Sequence, residues 1–135
     1  MSSFIWQARV YWEDTDAGGI VYYANYLRFL ERARTEWLRE RGLFQRELAL
    51  DPGIVFSVVE LQVRYRRAAR LDDLLVISCE PRQQGGATLV FAQHIWRAGE
   101  AAQVLLSASV RVACLEAGTM KPRRLPPVIV QSLIP

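Results

Sequence analysis

Two carboxylates stand two residues apart in the segment DTDAGG, residues 14–19, and a long run with helical periodicity follows directly. Asp14 and Asp16 could each take a proton from water or attack an electrophilic carbon. Gly18 and Gly19 let a ligand approach the main chain with no Cβ in the way. The helix beyond them adds a third part. Its first peptide N–H groups have no partner inside the helix, and its dipole makes that end partly positive. A carbonyl oxygen held there would be polarised, and an oxyanion formed on attack would be stabilised. One well-placed donor of this kind is typically worth about 2.7–4 kcal/mol. These residue types at this spacing suit addition to an acyl carbonyl, and they equally suit a plain helix cap followed by a turn. A calcium loop fits less well, because it needs an oxygen ligand where Gly18 stands and Glu where Asn25 stands.

The elements that must position this loop can be read from hydropathy period. Residues 4–13 mix aromatic and β-branched side chains with polar ones and predict a first strand. From about Val21 to Arg41 the period changes. Ala24, Leu27, Leu30, Ala33, Trp37 and Leu38 recur at three- and four-residue steps, and Arg28, Glu31, Arg32, Arg34 and Glu36 fill the other faces. That predicts a helix of roughly five turns capped by Gly42. A short second helix over 43–50 and strands near 54–67, 74–84, 87–98 and 102–115 complete the pattern. Leu61, Val63 and Tyr65 alternate with Gln62, Arg64 and Arg66, while Gly85-Gly86 and Gly99 mark hairpins. From Gly118 on, Pro122, Pro126 and Pro127 break the ladder before a short apolar tail. The class is α+β: one long helix and five antiparallel strands. One helix covers only one face of such a sheet, so at least a homodimer is expected.

The 135 residues, 51% of them hydrophobic, predict one domain, residues 1–135, with a packed core. No apolar run reaches the length of a membrane span, and the N-terminal residues lack a secretory pattern, so the expected location is cytoplasmic. Cys79 and Cys114 lie in separate apolar runs without metal or redox spacing and are expected as buried thiols. No metal or other cofactor is implied. His94 is the only histidine and sits in a strand pattern, which leaves little support for a serine triad. Positive charge is uneven. Residues 1–63 carry 7 basic and 9 acidic side chains, residues 64–135 carry 10 and 5. Sixteen of the 17 cations are Arg, and they gather at Arg64, Arg66, Arg67 and Arg70 and at Lys121, Arg123 and Arg124. Arg suits phosphate, so these clusters are candidates for a phosphorylated small molecule as much as for a solvated face. Nucleic acid is disfavoured by the absence of any recognisable binding signature. Tyr22, Tyr26 and Phe29 are candidates both for an acyl pocket and for core packing. Glu31, Arg32 and Glu36 are candidates for ion pairs.

The string YWEDTDAGGIVYYANYLRFLERARTEWL, residues 11–38, resembles the active-site loop and central helix of the 4-hydroxybenzoyl-CoA thioesterase family. It is most similar to the branch called Tol–Pal system-associated acyl-CoA thioesterases, and LDDLL at 71–75 and KPRRLP at 121–126 continue the likeness. The resemblance implies a hotdog fold, in which an antiparallel sheet wraps a long helix, and assembly into dimers or tetramers. It implies acyl-CoA as substrate, with acyl carrier protein as a second carrier. It places the catalytic carboxylate at Asp16 and the carbonyl-polarising N–H at Tyr23, and it leaves Asp14 as a loop-ordering residue. Many members have His where Tyr23 stands. A backbone donor is indifferent to that exchange, whereas a side-chain role is not. Gly18, Gly19 and Tyr22 are then expected along the substrate, with Arg64, Arg66 and Arg67 toward CoA phosphates. A weakly catalytic protein that binds acyl carrier protein or a cell-envelope assembly is the alternative. A hotdog hydratase is a further rival, disfavoured because the lone His94 lies far from the loop in sequence.

Overall fold

The computed structural model describes residues 4–133. Five strands form one antiparallel sheet: β1 (Phe4–Arg9), β2 (Ile54–Tyr65), β3 (Leu74–Gln83), β4 (Thr88–Arg97) and β5 (Leu106–Glu116). Their spatial order is β1-β3-β4-β5-β2, so β1 and β2 are the two edges. The central pairs β3–β4 and β4–β5 are hairpins, joined where Gly85-Gly86 and Gly99 were expected to turn the chain. β2 pairs along its whole length with β5, with a bulge between Val58 and Glu60.

Helix α1 (Tyr26–Glu40) lies against the sheet and buries Tyr26, Phe29, Leu30, Ala33, Trp37 and Leu38, one stripe at three- and four-residue spacing. It ends as predicted. Gly42 takes φ +75, its N–H donates to the Arg39 carbonyl, and the Leu43 N–H reaches back to Leu38. Helix α2 (Gln45–Leu50) follows. Trp37 packs edge-on to Phe91 of β4, with ring centroids 5.8 Å apart, so the helix is seated on the middle of the sheet. Among the described residues no helix is long and apolar enough to cross a membrane.

Several sequence expectations are corrected. The first strand stops at Arg9, and Trp12–Asp14 form a 3-10 turn instead. The helix begins at Tyr26, not near Val21, because Thr15 pairs with Val21 and Ile20 with Arg70, which holds that stretch extended. The last strand starts at Leu106, after a turn over 101–104. The apolar tail contains a third helix, α3 (Pro127–Ser132), opened by a proline at its first position; residues 134–135 lie outside the described ones. Arg34 is half-buried and not on a solvated face. Of the proposed helix ion pairs, Glu36 is found with Arg39 at 3.2 Å, three residues on.

Both cysteines are buried and free, as expected. Burial pushes the Cys79 thiol up from about 9 to about 12, against the pull of Arg34 and Arg41. The folded chain therefore holds this proton more tightly than the unfolded chain. The stability this contributes is complete below pH 9 and is lost as pH rises through about 12. The thermal midpoint should fall across that window, and Cys79→Ala, although less stable overall, should show the shallower fall. An unchanged slope in scans from pH 8 upward would remove Cys79 as the cause.

Candidate functional site

Asp14 organises the loop between β1 and α1. Its carboxylate accepts the Tyr11 N–H at 2.8 Å, and its carbonyl accepts both the Tyr22 N–H at 3.0 Å and the Asn25 Nδ2 at 3.0 Å. Those bonds tie the two ends of the loop together and use up the donors of Tyr22 and Asn25. Asp16 sits at the next corner. Its N–H donates to the Ile20 carbonyl at 2.9 Å, and its own carbonyl accepts from Gly19 at 3.0 Å, closing a tight turn.

The Asp16 side chain is exposed, and one carboxylate oxygen accepts the Gly18 N–H at 2.8 Å. Among the described residues the second oxygen accepts no hydrogen bond. A Cβ at position 18 would lie 3.2 Å from the bonded oxygen, closer than a side chain there tolerates without a shift. Gly19 has φ +79, a conformation that disfavours any side chain. Glycine suits position 18 because the carboxylate is folded back onto its own turn, and position 19 because the backbone there takes a positive φ.

The chain then passes through a 3-10 turn, Tyr23–Asn25, that runs straight into α1. The Val21 N–H is taken by the Ala69 carbonyl at 2.9 Å, and that of Tyr22 by Asp14. The Tyr23 N–H finds no acceptor among the described residues. Tyr65 of β2 fixes this turn from the other side. Its hydroxyl donates to the Tyr23 carbonyl at 2.8 Å, and its ring meets Tyr23 and Tyr26 edge-on at centroid distances of 6.4 and 5.6 Å. Tyr26 is buried, and its hydroxyl accepts the Ala69 N–H at 2.9 Å. Burial raises its pKa; the Ala69 contact and Arg97 lower it, and the Asp73 and Asp16 carboxylates add to the rise.

The remaining candidates divide. Tyr22 is exposed beside Tyr23, with ring centroids 4.9 Å apart, so it belongs to the loop surface, whereas Tyr26 and Phe29 are core. Arg64 and Arg66 alternate with Tyr65 and leave the sheet on the opposite face, where Arg66 Nε lies 3.5 Å from the Ser107 hydroxyl. Arg67 follows the strand, its N–H held by the Leu105 carbonyl at 3.1 Å. His94 is exposed on β4, and its peptide N–H donates to the Ser78 hydroxyl at 3.0 Å. Arg123 donates to the Pro52 carbonyl at 2.6 Å, which ties its side chain to the turn after α2. No cluster of potential metal ligands occurs among the described residues.

Sequence reasoning missed Asn25, Tyr65 and the buried Gln93. Asn25 had a local signal, since an Asn just ahead of a helix commonly bonds backbone. Tyr65 and Gln93 had none.

The sequence profile of the thioesterase superfamily matches residues 18–102, from the Asp16–Ile20 turn to the end of β4 and its turn. The chain belongs to the thioesterase superfamily. Within that superfamily it is 45% identical to "Acyl-CoA thioesterase YbgC" of Haemophilus influenzae over 125 residues, 93% of this chain and 90% of that one. A solved probable thioesterase from Bartonella henselae superposes with a TM-score of 0.86 at 38% identity, covering 93% of this chain and 100% of that one. A 4-hydroxybenzoyl CoA thioesterase complexed with 4-hydroxybenzoyl CoA superposes with a TM-score of 0.88 at 22% identity, covering 97% and 98%, a likeness of fold. The hotdog architecture expected of this thioesterase-superfamily chain is thus the observed one.

Proposed function

We propose that this chain hydrolyses acyl-CoA thioesters, with Asp16 as the catalytic carboxylate and the Tyr23 N–H as the oxyanion donor. The observation that carries the reading is the pairing of donors around the loop. Val21, Tyr22 and Asn25 each spend their N–H on a carbonyl, and Tyr23 and the next residue, Ala24, at the mouth of α1 do not. An unspent donor and an exposed carboxylate on one loop are the two groups acyl transfer requires. The name carried by the 45% identical relative supports CoA as the thiol.

The thioester oxygen points at Tyr23, and its acyl carbon faces Asp16. In the general-base form, Asp16 takes a proton from water as the water oxygen bonds to carbon and negative charge moves onto the carbonyl oxygen. As the carbonyl re-forms, the C–S bond breaks, and the thiolate leaves and recovers a proton from the Asp16 carboxyl. In the nucleophilic form Asp16 bonds the acyl carbon first and the C–S bond breaks to expel the thiolate; water then cleaves the resulting anhydride, freeing the acid and the Asp16 carboxyl, whose proton goes to the thiolate. Gly18, Gly19 and Tyr22 line the approach to the bond.

Acyl carrier protein is the other carrier the reading admits, and the Arg64, Arg66 and Arg67 face supplies positive charge for either carrier's phosphates. A homo-oligomer, dimer or tetramer, goes with it. Edge strand β2 has an unpaired flank and exposes Val59, and a second copy pairing along that edge would cover them. A cytoplasmic location and a place in the Tol–Pal-associated branch complete the proposal.

Free-thiol release from short, long and aromatic acyl-CoAs is the test. Sustained turnover on at least one class is expected. Background rates on all of them, with tight binding to a partner protein instead, would replace this reading with the non-catalytic one.

A further inference from the structure

A groove of about 290 Å³ runs beside α1 under edge strand β2, walled by Leu27, Val58 and Leu61 and by the charged Arg28, Glu31 and Arg34. Leu27, Glu31, Arg34 and Leu38 follow one another at four-, three- and four-residue steps, so they form one stripe along the helix. The stripe leads away from the 3-10 turn at Tyr23. Arg34 stands roughly 16 Å along from that turn, at about 1.5 Å per residue. It also borders a smaller cavity of about 40 Å³ lined by Leu38, Phe56, Leu89 and Phe91.

Arg34 is an unusual group for such a place. It is half-buried among apolar walls, and burial pulls its pKa down, with Cys79 and Glu31 opposing. Among the described residues no carboxylate comes within ion-pair distance of it. Its one protein acceptor is Gln93 Oε1, at 3.1 Å from Nη1. Gln93 is fully buried, and its amide is locked the right way round by donating to the Leu30 carbonyl at 3.0 Å and the Ser78 carbonyl at 3.4 Å. A guanidinium has five N–H groups, and one of them is accounted for. Gln93 therefore holds Arg34 by one corner, and its other guanidinium nitrogens, none of them sealed from solvent among the described residues, are open to a ligand in the groove that Arg34 lines. A carboxylate entering the groove could take that open fork in a bidentate, charge-assisted pair. The groove carries two cations against one carboxylate, a net charge that favours an anion.

We propose that Arg34 reads the far end of the acyl group, and that the chain prefers thioesters whose acyl chain ends in a carboxylate. This rests on the hydrolase reading above and adds the substrate class. The thioester carbonyl sits at Tyr23, the methylenes lie along Leu27, Val58 and Leu61, and the terminal carboxylate meets the Arg34 fork. Glu31 lies exposed at the rim, where water screens it, and discourages the anion from stopping short of Arg34.

The test compares kcat/KM for acyl-CoAs of matched length that end in methyl, hydroxyl or carboxylate. At the lengths that reach Arg34, the carboxylate-ended series should exceed the methyl-ended series at least fivefold. Arg34→Met, checked for folding by its thermal midpoint, should bring the two to about parity. A wild-type ratio of one or less at every length overturns the proposal, as does a preference for hydroxyl over carboxylate or an undiminished ratio in the variant. The wild-type ratio decides even if the variant does not fold. The methyl-ended arm reports separately on the hydrolase reading: turnover there with no carboxylate preference removes only this inference, and no turnover on any ester removes both.

Discussion

Asp16→Asn should lower thioester turnover by about 10²–10⁴, the range typical of losing a positioned general base or nucleophile. The side chain is exposed and its bond to the Gly18 N–H is local, so an amide oxygen can take over that contact and the turn should keep its shape. What the variant loses is the negative charge and the ability to accept a proton. The expected result is a collapse of kcat with the acyl-CoA dissociation constant within about threefold of the parent, measured by thiol release and by titration calorimetry. Activity within a factor of a few would remove Asp16 from the chemistry. Loss of binding equal to the loss of rate would instead make it a structural residue.

Tyr65→Phe is the second change with a large expected effect, about tenfold in kcat. The ring contacts to Tyr23 and Tyr26 survive, and only the hydroxyl bond to the Tyr23 carbonyl is removed. A net hydrogen bond of about 0.5–1.5 kcal/mol corresponds to roughly 2- to 12-fold. That bond restrains the peptide that follows the proposed oxyanion donor, so its loss lets the donor wander where charge develops and only weakly affects ground-state binding. Steady-state kinetics should show kcat falling with KM nearly constant, and the thermal midpoint should shift by only a few degrees. A rise in KM with kcat preserved would assign Tyr65 to substrate binding, and no change in either would make the contact incidental.

The parts of this architecture that were legible in the sequence are those settled within a few residues. Asp14 and Asp16, the two glycines beside them, the Gly42 cap and the two hairpins each declare themselves through a neighbour. The helix start was misplaced because Val21 and Tyr22 continue its apolar rhythm, while their conformation is decided by pairing with Thr15 and Asp14 across the loop. Arg34 reads as a solvent-side charge until Gln93, 59 residues away, supplies its acceptor. Tyr65 shows in sequence only as one apolar position of a strand. Its partner Tyr23 lies 42 residues back, and edge placement leaves it exposed, though alternation predicts an inward face. The faces of Arg64 and Arg66 follow from the same alternation, yet which side of the sheet meets the loop depends on the strand order, which period alone does not encode.

The two sealed sulfurs have a practical consequence. Product release from a thioester is commonly followed with reagents that react with free –SH, and a catalyst bearing reactive cysteines would consume them itself. Here Cys79 and Cys114 are almost wholly out of contact with water, and desolvation keeps both in the unreactive protonated form. The colour that develops in such an assay therefore comes from liberated coenzyme. Any additional two equivalents per chain that appear late count the molecules that have come apart.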